Sequence, residues 1–102
     1  MAESQFKSFA EFYPFYLSEH TNTIARRLHF IGSCFALACF AFGLFKGIWW
    51  YFLAALIAGY AFAWVGHFFF EKNQPATFRH PFYSFIGDWR MWWETLTGKL
   101  AF

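Results

Sequence analysis

Charged residues are scarce in this chain of 102 residues. Asp, Glu, Lys and Arg make up 14% of it, whereas an average soluble domain carries roughly 25%. The net charge is only +2, and no basic cluster exists beyond Arg26-Arg27. A nucleic-acid partner is therefore not expected, because binding to phosphates requires a basic patch or stripe.

Several motifs of common catalytic and binding classes are also missing. The sequence has no CxxC zinc knuckle, no glycine-rich phosphate loop and none of the closely spaced histidine boxes of membrane desaturases. The only two cysteines, Cys34 and Cys39, stand five residues apart in an apolar stretch. One helix does not favour a disulfide at that spacing, so we interpret them as small packing residues. The N-terminal segment MAESQFKSFAEF lacks the continuous apolar core of a signal peptide, and none is expected.

Apolar residues dominate instead, at 59% of the chain. Two apolar stretches cover about residues 28–45 and 48–70, with only Lys46 and Gly47 between them. A helix needs about 20 apolar residues to cross the hydrocarbon layer, and a domain this small cannot bury two such helices from water. We therefore predict one all-α integral membrane domain, residues 1–102, built on a two-span helical hairpin. The alternative is a single buried hairpin in a soluble all-α protein.

Amphipathic helices are predicted to flank the hairpin at both ends and to lie at the membrane interface. Before it, one helical face carries Phe6, Phe9, Tyr13, Tyr16 and His20. Pro14 is expected to kink this helix or to start it afresh, and the segment Thr21-Asn22-Thr23 is typical of a break and a helix cap. After the hairpin, a last helix has one broad apolar face, made of Phe82, Phe85, Ile86, Trp89, Trp92, Trp93, Leu96 and Leu100. Its polar face consists of Asp88, Arg90, Glu94 and Lys99.

The distribution of Lys and Arg predicts the orientation of the hairpin. Its connecting turn has Lys46 alone, whereas the other seven basic residues lie outside the two stretches on the terminal sides: Lys7, Arg26, Arg27, Lys72, Arg79, Arg90 and Lys99. Because basic residues accumulate on the cytoplasmic side, both termini and all four histidines are predicted to be cytoplasmic.

Small residues follow a stripe on each predicted span. The first stripe is His29, Gly32, Ala36, Cys39 and Gly43, and the second is Ala55, Gly59, Ala63, His67 and Glu71. Small residues at such spacing let membrane helices approach closely. If the two stripes face each other, His29 and His67 meet at one end of the hairpin. The alternative is that small residues line up by chance in an apolar span.

This end of the hairpin is a candidate metal centre. Neutral imidazole is a good ligand for iron, zinc and copper. His67 and Glu71, four residues apart, together with His29 supply the two histidines and one carboxylate of non-haem iron(II) oxygenases, and His20 is a further ligand if it folds back. Glu71 has two other interpretations, an ion pair with a neighbouring base or a partner that orients a histidine. His80 precedes Pro81, nothing fixes its direction, and a surface role is favoured.

Two histidine motifs carry a resemblance to a known family. The first is His20-Thr-Asn22 followed by Arg27-Leu-His29-Phe-Ile-Gly32, and the second is GHFFFEKNQPA at 66–76. Together they resemble the Mpo1-like family, and the tail at 81–91, PFYSFIGDWRM, resembles its short bacterial branch. The likeness covers nearly the whole chain.

The resemblance implies an activity. The characterised fungal member of the family is an iron(II)-dependent dioxygenase of the endoplasmic reticulum that shortens 2-hydroxy fatty acids by one carbon in α-oxidation. The resemblance implies that His20, His29 and His67 bind Fe(II). No role is transferred to His80, because it lies where the short and long branches differ. Asn22 and His80 remain additional candidates, and Glu71 is the candidate catalytic residue from its spacing to His67. The implied partners are a 2-hydroxy fatty acid or related lipid, O2 and a membrane, which for the short branch is the bacterial inner membrane.

Other points stay open at the level of sequence. Arg26, Arg27 and Lys72 are candidates for binding a substrate carboxylate, and each is equally well explained as a topology signal. The rival hypothesis is a non-catalytic membrane protein. It is either a haem b carrier with His29 and His67 as axial ligands or an assembly subunit whose histidines are structural. The oligomeric state is also left open.

Overall fold

The computed structural model describes residues 6–102, and 77% of them are helical. No strand occurs within that range, so the all-α class is confirmed. The elements in chain order are α1 (Phe9–Ser18), α2 (Thr23–Lys46), α3 (Trp50–Val65), a π-helical segment (Gly66–Glu71), a 3₁₀ turn (Ala76–Phe78) and α4 (Pro81–Leu96).

The ends of α2 follow from its capping residues. The Asn22 side chain accepts a hydrogen bond from the Ala25 N–H, as the preceding polar segment predicted. Gly47 ends the helix in the left-handed conformation, at φ 67°, which glycine adopts without steric cost. The helix therefore begins five residues before the predicted apolar stretch and ends one residue after it.

α2 and α3 pack in antiparallel directions through small residues. Gly59 lies beside Ala36, where an added Cβ would stand 3.5 Å from the Ala36 Cβ, so the two predicted stripes do touch. Elsewhere the contact differs, because Gly32 faces the Phe62 side chain. Residues taken at uniform steps of four drift by about 40° per step around a helix of 3.6 residues per turn. The predicted stripe of α3 therefore winds away from α2 towards its histidine end.

The helix that starts at Trp50 changes character at Gly66. It continues as a π-helical segment that carries His67 and Glu71, and it ends at Lys72, whose φ of 58° lies in the left-handed region. Gly66 packs against Ala25 near the start of α2, where an added Cβ would lie 3.2 Å from Ala25 atoms. A π-helical turn inside an α-helix often marks a functional site.

The flanking helices pack against each other across the histidine end. Phe12, Tyr13 and Tyr16 of α1 form a buried aromatic cluster with Met91 of α4. Pro14 lies inside α1 without ending it. In α4 the packed side is the small and polar one, since Ser84 and Gly87 are buried with Met91, whereas much of the predicted apolar face, including Phe82, Trp93 and Leu96, is exposed.

Two helices are long and apolar enough to cross a membrane: Thr23–Lys46 and Trp50–Glu71. They are poorly covered by the rest of the protein. Only 28% of the most apolar stretch of the first and 17% of that of the second are buried. The core helix of a soluble protein is mostly buried, so these helices leave large apolar surfaces that need another cover.

Candidate metal centre

Three histidines from separate elements meet in the interior. His20 follows α1, His29 lies in α2, and His67 lies in the π-helical segment. Their exposed fractions are only 3%, 4% and 5%. The ring of His20 lies 4.5 Å from that of His67 and 5.7 Å from that of His29, measured between centroids. The structure thus brings together the three residues that the family resemblance names as ligands.

His20 is held with one nitrogen unpartnered. Its Nδ1 lies 2.7 Å from the backbone carbonyl of Tyr16 and donates a hydrogen bond to it. That assigns the lone pair to Nε2, which is buried and has no hydrogen-bond partner. Burial, aided by the neighbouring His29 and His67, holds the pKa of His20 well below its ordinary value. The imidazole is therefore neutral, the form that binds metals.

His67 is oriented by Asn73 in the loop that follows its helix. The Nδ1 of His67 lies 2.7 Å from Oδ1 of Asn73 and donates to it. The amide of Asn73 in turn donates to the Glu19 carbonyl at 3.1 Å, which fixes the amide's direction. This arrangement leaves Nε2 of His67 as the nitrogen with a lone pair.

His29 is held by a carboxylate from the residues that the sequence placed on the polar face of the last helix. Its Nε2 lies 3.0 Å from Oδ1 of Asp88, and the Tyr16 hydroxyl, which donates to the same oxygen, lies 3.3 Å from that nitrogen. Burial, followed by the Asp88 carboxylate, raises the pKa of Tyr16 well above its ordinary value, so the phenol keeps its proton. The Nδ1 of His29 is buried and unpartnered.

In the structure Glu71 and Asn22 form hydrogen bonds that hold the loop after His20 against the π-helical segment. An oxygen of Glu71 accepts the Asn22 backbone N–H at 2.8 Å, and the other accepts the Thr21 hydroxyl at 3.4 Å. The side chain of Asn22 is occupied by capping α2. Of the three interpretations for Glu71, these contacts match a partner that orients a ligand, in this case through the backbone next to His20.

His80 lies in a different environment from the other three histidines. It is buried, and its ring packs against three phenylalanines, with centroids 5.2 Å from Phe6, 5.4 Å from Phe12 and 5.8 Å from Phe15. The expectation of a surface role for His80 is therefore wrong, because α1 and the residues before it cover the ring. The contacts assign it to the aromatic cluster.

The three candidate cationic residues differ in how they are engaged. Arg26 has two buried guanidinium nitrogens, Nε and Nη2, without partners. Arg27 donates to the Phe102 carbonyl at 3.1 Å and stacks over its ring, and Lys72 is exposed. Arg26 is thus the candidate with unsatisfied donors.

Two adjoining cavities reach the histidines. The larger, of about 470 Å³, runs along α2 and α3 on the side of α4 and has His29 and Asp88 among its lining residues. The smaller, of about 10 Å³, is lined in part by His20 and His67 and has room for about one water-sized sphere. Asp88 lines both cavities, and so do two residues of α3, Tyr60 and Ala63.

The donor chemistry of the cluster fits iron(II). Each imidazole uses one nitrogen on an oxygen acceptor and keeps the other for a ligand, which is the usual pattern around histidine-bound metals. The histidine rings are farther apart than a shared metal ion requires. Within residues 6–102, no three His, Cys, Asp or Glu side chains stand close enough to hold an ion as they are. Binding by all three histidines would require the rings to draw together.

The fold and this cluster define a small all-helical protein with a buried histidine centre at one end of two apolar helices. A family model described as 2-hydroxy-palmitic acid dioxygenase Mpo1-like matches residues 6–100. The chain therefore belongs to the Mpo1-like family. No curated protein and no solved structure was found to match it.

Three site residues were missed by sequence reasoning. Asn73 lies within the second histidine motif, Asp88 lies within the tail segment, and Tyr16 precedes His20 by one helical turn. Each belongs to a segment already singled out, yet none is a metal ligand by type and spacing. Only the packing of α4 onto α1 and α2 makes the roles of Asp88 and Tyr16 visible.

Proposed function

We propose that this protein is a membrane-embedded, Fe(II)-dependent dioxygenase that converts a 2-hydroxy fatty acid or related lipid into an acid one carbon shorter. The observation that carries the proposal is the cluster of His20, His29 and His67, each with one nitrogen on an acceptor and the other left for a ligand. The family name supports a dioxygenase acting on a hydroxy acid.

Membrane insertion is part of the proposal. The exposed apolar surfaces of α2 and α3 favour a lipid cover, since the rest of residues 6–102 leaves them uncovered. The Lys and Arg distribution favours cytoplasmic termini. The exposed aromatic face of α4 then lies against the headgroup layer, where Trp residues accumulate.

The proposed roles of the residues follow from their contacts. His20, His29 and His67 would hold the iron, while Tyr16, Asn73 and Asp88 keep the rings in place. When bound there, the metal would supply the activation of oxygen and the attraction for the carboxylate and 2-hydroxyl of the substrate.

Arg26 is proposed to attract the substrate carboxylate. Its buried guanidinium nitrogens have no partner, so an incoming carboxylate would satisfy them.

The proposed reaction balances with one molecule of O2 as the oxidant. The C1–C2 bond of the 2-hydroxy acid breaks, C1 leaves as CO2, and C2 becomes the carboxyl carbon of the shortened acid. O2 accepts the four electrons removed from the substrate, and the net products are the shortened acid, CO2 and one water.

The test is metal analysis of anaerobically purified protein combined with an assay for shortened 2-hydroxy acids. The proposal expects bound iron, little visible colour and oxygen-dependent formation of the shorter acid. A visible haem spectrum would instead favour the rival haem b carrier. Iron-free protein that gives no product after addition of Fe(II) would favour an assembly subunit with structural histidines.

A further inference from the structure

The larger cavity has a polar end and an apolar end. His29 and Asp88 lie at one end, where Phe85 and Trp89 of α4 partly cover the cavity. At the other end the last lining residues are Phe40 of α2 and Phe52 of α3. Their rings touch, with centroids 5.2 Å apart.

Small residues line the space between these ends. Ala36 of α2 and Ala55, Gly59 and Ala63 of α3 line its middle. Ala36 and Gly59 also form part of the contact between α2 and α3, so the cavity lies along one side of that contact, where the small side chains leave room. Its about 470 Å³ lies within the roughly 300–1,000 Å³ typical of small-molecule sites.

The shape matches an extended chain with one polar end. From His29 to Phe40 α2 advances about 16 Å, at about 1.5 Å per residue. An extended chain covers about 1.2 Å per bond, as the dimensions of an extended backbone show. The cavity therefore accommodates about 14 bonds beyond a head group placed beside His29.

We infer that this cavity binds the unbranched acyl chain of the substrate, and that Phe40 and Phe52 set its maximum length. The inference rests on the proposed function for the head group. It also assigns a property to the far end of the cavity that the metal chemistry does not determine. The contacting rings lie at the far end of the cavity, so a longer acyl chain must pass over or displace an aromatic side chain there.

Binding, separate from turnover, tests the inference. Detergent-purified protein, kept anaerobic, is offered an equimolar mixture of saturated unbranched 2-hydroxy acids from about 10 to about 20 carbons. Native mass spectrometry then reads the length of each retained acid. Phe40→Ala and Phe52→Ala should each shift the preferred length upwards by about two to four carbons, because removing one ring lengthens the cavity by a few bonds.

A second variant shifts the length the other way. Leu56 lines the cavity one turn nearer the head group than Phe52, and it is 55% exposed, so Leu56→Trp adds bulk at a tolerant position. It should shorten the preferred acid by about five carbons, the length of one helical turn. Phe42→Ala is the matched control. Phe42 is 54% exposed against 50% for Phe40, on the same helix, yet it does not line the cavity.

The outcomes separate this inference from the proposed function. Unchanged length preference in folded Phe40→Ala, Phe52→Ala and Leu56→Trp would overturn the inference even if the protein shortens 2-hydroxy acids. Retention of membrane phospholipid alone would overturn it as well. Shifts in the expected directions in protein that never turns over a hydroxy acid would support the acyl site and contradict the dioxygenase.

Discussion

The Asp88 carboxylate lies 3.0 Å from Nε2 of His29, although 59 residues separate them in the chain. This contact joins α4 to α2 at the point where the two cavities meet. A carboxylate behind a histidine fixes the ring and raises its basicity as a metal ligand. Asp88 is thus a positioning residue of the proposed site.

Replacement of Asp88 should weaken iron binding without abolishing it. Loss of a group that orients a ligand typically costs 10–100-fold in metal affinity, so Asp88→Asn and Asp88→Ala should both fall in that range. Chelator competition under anaerobic conditions measures the change. Glu94→Gln is the matched control, because Glu94 is another acid of α4 that contacts α1, through Tyr13. Equal losses of iron affinity in the Asp88 and Glu94 variants would show that these acids act only by packing α4 against the other helices, and would contradict a specific role for Asp88.

Substitutions of Glu71 distinguish a direct metal ligand from a residue that only holds the loop next to His20. Glu71→Gln keeps a carbonyl oxygen for the Asn22 N–H, so iron affinity should stay within a few-fold of wild type, whereas Glu71→Ala should lose about 10–100-fold as the His20 loop loosens. Iron titration of both variants decides the matter. Complete loss of iron in folded Glu71→Gln would restore the sequence-based ligand set of His29, His67 and Glu71.

Two glycines of the helix contact should respond differently to alanine. A Cβ at Gly32 would lie 2.5 Å from Cβ of Phe62, which cannot move without its backbone. Gly32→Ala should therefore cost about 1–3 kcal/mol of stability, as overpacking does. A Cβ at Gly59 meets Ala36 at 3.5 Å, an ordinary contact, so Gly59→Ala should be tolerated. Thermal unfolding of both variants in detergent checks this, and equal stability would show that α2 and α3 pack differently.

The orientation of the two apolar helices is also open to measurement. Reporter fusions at Lys46 and at the C-terminus should report opposite sides of the membrane, with the C-terminus cytoplasmic, because seven of the eight basic residues lie outside the connecting turn. Activity of both fusions on the same side would contradict the two-span arrangement.

The fold was predictable where apolar length and capping decide it. Asn22 and Gly47 bound α2 as their residue types indicate. The contact surface of the second helix was less predictable. A stripe of residues spaced four apart winds around an α-helix, and His67 lies in a π-helical turn that the sequence does not indicate. Contacts across long stretches of chain, such as Asp88 with His29, depend on how α4 packs. In the sequence Asp88 is one of several charged residues on the polar face of α4, with Arg90, Glu94 and Lys99. Nothing in its type or spacing distinguishes it as the one that contacts His29.

The central claim is that three imidazoles hold the iron, and one comparison tests it most directly. Iron content and turnover are measured in anaerobically purified wild type and in His20→Ala, His29→Ala and His67→Ala, with His80→Ala as the matched buried-histidine control. We expect about one iron per wild-type chain, severe loss of iron and turnover in the three variants, and retention in His80→Ala, whose ring packs against Phe6, Phe12 and Phe15. Folded His29→Ala and His67→Ala that keep both iron and turnover would contradict this claim.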